Sequence, residues 1–257
     1  MKKSKFKLFA ALLLAAAMTV LSLSGAVPVL ADETAAILAN AAKSPALHTA
    51  PEGYDQNDFN KVRTFLEQTD SNGIRNGEKL NPDGYDPDDP ESWGALFVDE
   101  WGFEHEAYFD WEEVDGINRM FAINLTYIKD FAGTFDMSGL DALSTLDVDG
   151  GNFTTADLSN CCEMTHCYFA NSTLSSVNFF NCANVTELYL QDNELTEVLN
   201  LGDCTSLLFL DILMNNDLEE IDLSGCERII EYLDFSQTKV SDVNETEMFA
   251  LCEFSCE

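Results

Sequence analysis

Apolar residues in the second half of this chain recur with two periods at once. Within short stretches they alternate, as Leu188 and Leu190 do in TELYLQDNELTEVLNLGDC (residues 186–204), which predicts strands with one buried face. Over longer distances the whole stretch returns, as LLFLDILMNNDLEEIDLSGC at residues 207–226. Further copies begin at Leu143 (LSTLDVDGGNFTTADLSNC), Met164 (MTHCYFANSTLSSVNFFNC) and Ile230 (IEYLDFSQTKVSDV), with a weaker first copy from Met120 (MFAINLTYIKDFAGTFDMSGL). Met137, Leu158, Phe179, Leu201 and Leu223 form one column, at steps of 21, 21, 22 and 22 residues. Leu140, Cys161, Cys182, Cys204 and Cys226 form another with the same steps. One such unit cannot bury its apolar face alone, so the pattern predicts coils that stack.

The residues before the repeats carry other periods. Phe59, Val62, Phe65 and Leu66 share one face at helical spacing, with Asp55 or Asn57 able to cap the start and a stop near Asp70. Residues 71–92 are rich in Gly, Asn, Pro and Asp and predict an irregular surface loop. Residues 93–118 mix aromatics (Trp93, Phe97, Trp101, Phe103, Tyr108, Phe109, Trp111) with acids, as short strands or extended capping structure would. Residues 32–50 are small and polar and read as a linker.

The repeat motif, L-x-x-L-x-L-x-x-N-x-L-x-x-[LV]-x-L-x-x-C, resembles the leucine-rich repeat family over residues 119–240. The segment DFNKVRTFLEQTDSNGIRNGEKLN with its Trp-rich continuation resembles the N-terminal caps of secreted bacterial, internalin-like members. The resemblance implies an α/β fold. It would be a leucine-rich repeat solenoid of about six coils of 21–23 residues, with a short parallel β-ladder horseshoe on one side. Turns or short helical pieces would form the other side, and an N-terminal helical cap over 51–118 would close one end. Residues 241–257, with Met248, Phe249, Leu251, Cys252 and Phe254, would close the other. The motif's asparagine can bond the turning backbone of its own and the neighbouring coil. Asn193 and Asn215 hold that position, but Gly151, Ser172 and Thr238 replace it elsewhere, so the asparagine ladder is incomplete.

The N-terminus changes the setting. MKKSKFK is basic, LFAALLLAAAMTVLSL is apolar, and Val29 and Ala31 stand in the positions of a cleavage site. Residues 1–31 therefore read as a secretory signal peptide, which predicts a secreted or cell-surface protein with no membrane span after cleavage. Cleavage removes four of the 13 basic residues and none of the 46 acidic ones, which takes the net charge from −33 to −37. Such a field argues against nucleic acid and anionic membrane as partners, and it serves solubility alone or favours cations or basic surfaces.

Candidate chemistry is sparse. Of eight cysteines, Cys161, Cys182, Cys204 and Cys226 fall in one inward column and Cys167 at a strand position. In-register Cβ vectors suit disulfides poorly, so these read as buried free thiols packing as small hydrophobes. Cys252 and Cys256, at i and i+4, are the better candidates for a bridge or for surface thiols. Cys161, Cys162, His166 and Cys167 are near in sequence, but the alternation sends Cys167 inward and His166 outward, so no metal site is expected. The acids of DGYDPDDPE (83–91) could hold Ca²⁺ weakly, although the spacing departs from a calcium loop. No G-x-S-x-G, H-E-x-x-H or Cys–His–Asn arrangement is present, so no catalytic residues and no cofactor are assigned and the chain reads as a non-enzyme.

The outward side of the ladder is the most informative surface. Alternation exposes Thr145, Asp147 and Asp149; His166, Tyr168 and Ala170; Glu187, Tyr189 and Gln191; Phe209, Asp211 and Leu213; and Tyr232, Asp234 and Ser236, with Asn124 in the first coil. Aromatics provide rigid contact area, and acids attract Lys or Arg or accept hydrogen bonds from sugar hydroxyls. The expected binding face is thus Asp147, Asp149, His166, Tyr168, Glu187, Tyr189, Phe209, Asp211, Tyr232 and Asp234. Its ligand would be a protein or peptide of basic character, with a glycan as the alternative. A third reading makes the chain a ligand-free spacer of a surface assembly, its cross-strand aromatics merely stabilising the sheet. A monomer is expected.

Overall fold

The computed structural model describes residues 48–98, 102–126, 128, 130–226, 231–241 and 243–244. The residues expected to form the signal peptide, most of the expected linker and the expected C-terminal cap, with Cys252 and Cys256, lie outside the described residues. Six strands run parallel in one sheet: β3 (Ile117–Leu125), β5 (Thr145–Asp149), β7 (His166–Ala170), β9 (Glu187–Tyr189), β11 (Phe209–Asp211) and β13 (Tyr232–Asp234). Their inward residues stand in register, Ile123 beside Leu146, then Cys167, Leu188, Leu210 and Leu233. All six are buried. The result is a β-solenoid of about five turns, whose interior is the stacked set of apolar columns read from the sequence.

The expected α/β character does not form. The side opposite the ladder is made of short strands, β4 (Phe135–Asp136), β6 (Thr155–Asp157) and β8 (Ser176–Asn178) in one three-stranded sheet. A second contains β10 (Thr196–Asn200), β12 (Asp217–Asp222) and β14 (Val243–Asn244). Both sheets are parallel. A turn of 21 to 23 residues that already contains a ladder strand and two corners leaves too little chain there for a stable helix. β-branched residues such as Thr155, Val177, Thr196 and Ile221 favour the extended form that remains.

Each corner has its own device. At the back, Asp136, Asp157, Asn178, Asn200 and Asp222 each accept, through Oδ1, a hydrogen bond from the N–H two residues on, at 2.9–3.1 Å. These side chains turn the backbone locally. After the ladder strands, Gly150, Asn171, Asp192, Met214 and Gln237 all adopt left-handed backbone, with φ of +77°, +50°, +54°, +60° and +57°. Only the first is a glycine, so the stacking imposes a conformation that Met214 and Gln237 would not choose alone.

The asparagine column behaves as its chemistry requires. Asn215 is buried; its Nδ2 donates to Leu190 O and Ile212 O at 3.0 and 2.9 Å, and its Oδ1 accepts from Leu195 N at 3.1 Å. Asn193 does the same with Phe169 O, Leu190 O and Leu174 N. Where the asparagine is missing, Ser172 Oγ accepts from Gly151 N at 2.9 Å, so a hydroxyl carries the ladder one coil further.

The N-terminal end is mixed rather than helical. Helix α1 (Gln56–Leu66) is capped by Asp55, whose Oδ1 accepts from Asn57 N and Asp58 N, and it ends at Leu66, earlier than the expected Asp70. Its buried face, Phe59, Val62, Phe65 and Leu66, packs over the first coil, where Phe65 meets Phe131 and Phe135 at ring-centroid distances of 5.5 and 5.4 Å. The stretch expected to be an irregular loop contains helix α2 (Asn76–Leu80) and a 3₁₀ turn at Pro90–Ser92. Buried Asn76 holds α2 in place by bonding Phe65 O and Ala132 O through Nδ2 and Ala132 N through Oδ1. Two antiparallel strands, β1 (Ala95–Val98) and β2 (Glu104–Val114), extend the ladder sheet beyond β3. The β2–β3 turn is Asp115-Gly116, both with positive φ, as a two-residue hairpin demands.

Candidate functional site

Strand register arranges the outward residues in rows that cross the strands. One row runs Thr145, His166, Glu187, Phe209 and Tyr232; the next runs Asn124, Asp147, Tyr168, Tyr189, Asp211 and Asp234. All ten residues expected at the face are therefore on one side of one sheet. Nine are half-buried against their neighbours, and Tyr232 is exposed. Asp149, at the strand end, accepts from Asn171 Nδ2 at 2.7 Å. Ala170 is the exception among the residues expected to point outward. It is fully buried, because the chain turns at the left-handed Asn171 and the alternation ends before it.

His166 sits between two carboxylates. Its Nε2 is 3.1 Å from Asp147 Oδ1, and its Nδ1 is 3.2 Å from Glu187 Oε2. The hydrogen bond to Asp147 is the largest influence on the imidazole; that to Glu187 adds to it and partial burial opposes both. The net effect raises its pKa above the usual histidine value. The imidazole ring also lies 5.7 Å from the Tyr189 ring, which in turn lies 6.1 Å from Tyr168. This part of the face is a closed network.

The last two strands differ. Phe209 and Tyr232 stack with ring centroids 6.2 Å apart and planes 24° from parallel. Beside them Asp211 and Asp234 are register partners. Burial, and then the charges of Asp234 and Asp192, push the Asp211 carboxyl above its ordinary value, against one backbone hydrogen bond from Leu213 N. The Tyr189 and Tyr232 hydroxyls are likewise raised, chiefly by burial and then by neighbouring carboxylates.

The sequence reading missed that the face continues onto the hairpin. Tyr108 pairs with Asn124 and Asp110 with Ala122, so β2 adds an aromatic and an acid to the same rows. The signal was the Asp115-Gly116 dipeptide between two strand-like runs.

The cysteine column lies inside the coils. Cys161, Cys167, Cys182, Cys204 and Cys226 are buried free thiols, and Cys162 is a half-buried one. Burial is the first cause that pushes Cys182 and Cys226 up to about 11 and the others in the column further. Among the described residues no group of three or more His, Cys, Asp or Glu side chains could hold a metal ion. In the 83–91 loop, Asp86 and Asp89 turn the loop's own backbone by accepting from Asp88 N and Glu91 N, and Asp88 pairs with Arg63. No helix among the described residues is long and apolar enough to cross a membrane.

No family model matches the chain, and neither a curated protein nor a solved structure does.

Proposed function

We propose that this chain is a recognition module whose ladder face binds a protein or peptide of basic character outside the cell. One observation carries the reading. Four aromatic side chains, Tyr168, Tyr189, Phe209 and Tyr232, stand on adjacent strands beside Asp147, Glu187, Asp211 and Asp234 on a single sheet face. Rigid aromatic area next to carboxylates suits contact with Lys and Arg side chains. The signal-like N-terminus and the net charge of −33 agree with an extracellular partner of opposite charge.

The repeat resemblance supports assigning the solenoid to the leucine-rich repeat type, with the bonded Asn193 and Asn215 in its asparagine position. It also supports reading α1 and the β1–β2 strands as an N-terminal cap, since an uncovered first coil would expose Phe131, Phe135 and Phe153 to water.

The test compares the purified protein with a Tyr168→Ala/Tyr189→Ala/Tyr232→Ala variant on protein and glycan arrays at low and moderate salt. Binding that the variant loses with its circular dichroism unchanged places the site on the face. Strong salt dependence then selects a basic protein, and weak dependence selects the glycan alternative. A variant that binds as well as the parent sinks the proposal and leaves the spacer reading.

A further inference from the structure

The two halves of the ladder face differ in how their carboxylates are met. In the first half His166 answers both Asp147 and Glu187. In the second half, no ion pair among the described residues involves Asp211 or Asp234. Asp211 Oδ1 accepts from Leu213 N, and Asp234 Oδ1 from Ser236 N, both at strand ends. Asp234 Oδ2 is 3.4 Å from the Tyr232 hydroxyl, and Asp211 Oδ2 has no such donor among the described side chains. The two carboxylates stand at register positions on adjacent strands, and such strands lie about 4.8 Å apart. The stacked Phe209 and Tyr232 rings border them on the same strands.

We infer that Phe209, Asp211, Tyr232 and Asp234 form the part of the face that receives an arginine side chain of an extended peptide. The inference rests on the reading of the ladder face as a binding surface and names its ligand chemistry. A guanidinium is planar and weakly hydrated, so it can lie on an aromatic face while its fork reaches two carboxylates. One strand spacing matches that reach. A lysine ammonium is a strongly hydrated point charge and gains less from the rings. The cation would supply the positive charge that Asp211 lacks, and the raised carboxyl of Asp211 agrees with that deficit. In the first half the Asp147 and Glu187 carboxylates are already hydrogen-bonded to the His166 imidazole, so that half contributes shape and aromatic contact rather than cation selection.

The experiment titrates the full chain into a fluorescein-labelled hexa-arginine peptide, read by fluorescence anisotropy, with hexa-lysine as the comparison. Three isosteric pairs each remove two carboxylates: Asp211→Asn/Asp234→Asn at the site, Asp147→Asn/Glu187→Gln around His166, and Glu219→Gln/Glu220→Gln on β12. Circular dichroism checks that each variant is folded, and the single Asp211→Asn variant serves if the first pair is not. The expected result is about a ten-fold loss of affinity for the Asp211/Asp234 pair and less than about two-fold for the others, with hexa-lysine weaker throughout. Equal losses from all three pairs would mean that only net charge is read, and the inference falls. It falls equally if hexa-arginine does not bind the parent protein. The fate of the wider reading is separate. If the triple tyrosine variant loses its array ligand while the Asp211/Asp234 pair keeps both ligands, the face stands and the arginine site does not.

Discussion

Asp58, with no exposed side-chain surface, accepts a hydrogen bond from Arg119 Nε at 2.8 Å and another from Met120 N at 3.1 Å. It sits in α1, and both partners sit in β3, so one carboxylate ties the helix to the first ladder strand. Arg119 continues to Asp141, at the start of the next coil. Truncation leaves the buried Met120 N–H without a partner and the part-buried Arg119 guanidinium with one carboxylate fewer. Asp58→Ala is expected to cost about 3 kcal/mol in chemical denaturation, near the lower end for breaking a buried pair because Arg119 keeps Asp141.

The asparagine ladder makes a second prediction. Asn215 satisfies three backbone groups from two coils in the interior. Asn215→Leu preserves approximate volume but orphans all three, so a loss of about 3 kcal/mol is expected, measured by urea unfolding. Thr238→Ala, in the last coil, is expected to cost less, since its hydroxyl joins only Phe235 O and Val240 N.

His166 makes stability depend on pH. Its folded pKa is raised by Asp147 and then Glu187, so its charged form contributes stability that is fully present below the unfolded value near 6.5. That contribution is lost as pH rises through the folded value. The stability difference between the parent and His166→Gln should therefore be largest at acidic pH and shrink as pH rises above about 6.5. A difference that grows with pH would refute the assignment. Denaturation midpoints at several pH values, with the imidazole resonances followed by NMR, decide it.

Thiol reactivity separates the cysteines. With iodoacetamide under native conditions, Cys162 should alkylate well before Cys161, Cys167, Cys182, Cys204 and Cys226, as mapped by peptide mass spectrometry. Burial both shields the column and holds its thiols protonated. Rapid labelling of the column in the folded protein would show that the coils open.

How far the sequence carried differs from element to element. The columns Met137 to Leu223 and Leu140 to Cys226 were legible because stacking demands an apolar residue at every step, and nothing local competes with that demand. The face of α1 was legible for the same reason. The back differs from what the resemblance implies, turns or short helical pieces, because residues such as Thr155, Val177 and Thr196 favour the strands that form there. The Asx column of Asp136, Asp157, Asn178, Asn200 and Asp222 went unread because acids and amides are common in so acidic a chain.

By itself, then, the sequence determined that the chain coils, with what period, and, Ala170 apart, which ladder side chains face in or out, since these follow from alternation and from the need to bury each repeat against the next. Only the tertiary structure decided which outward residues meet. His166 finds Asp147 and Glu187 on the flanking strands, and Asp211 and Asp234 are left side by side without a cation among the described residues. Those relationships cross strands some twenty residues apart. They depend on register, and register is set by the stacked coils together rather than by any one of them.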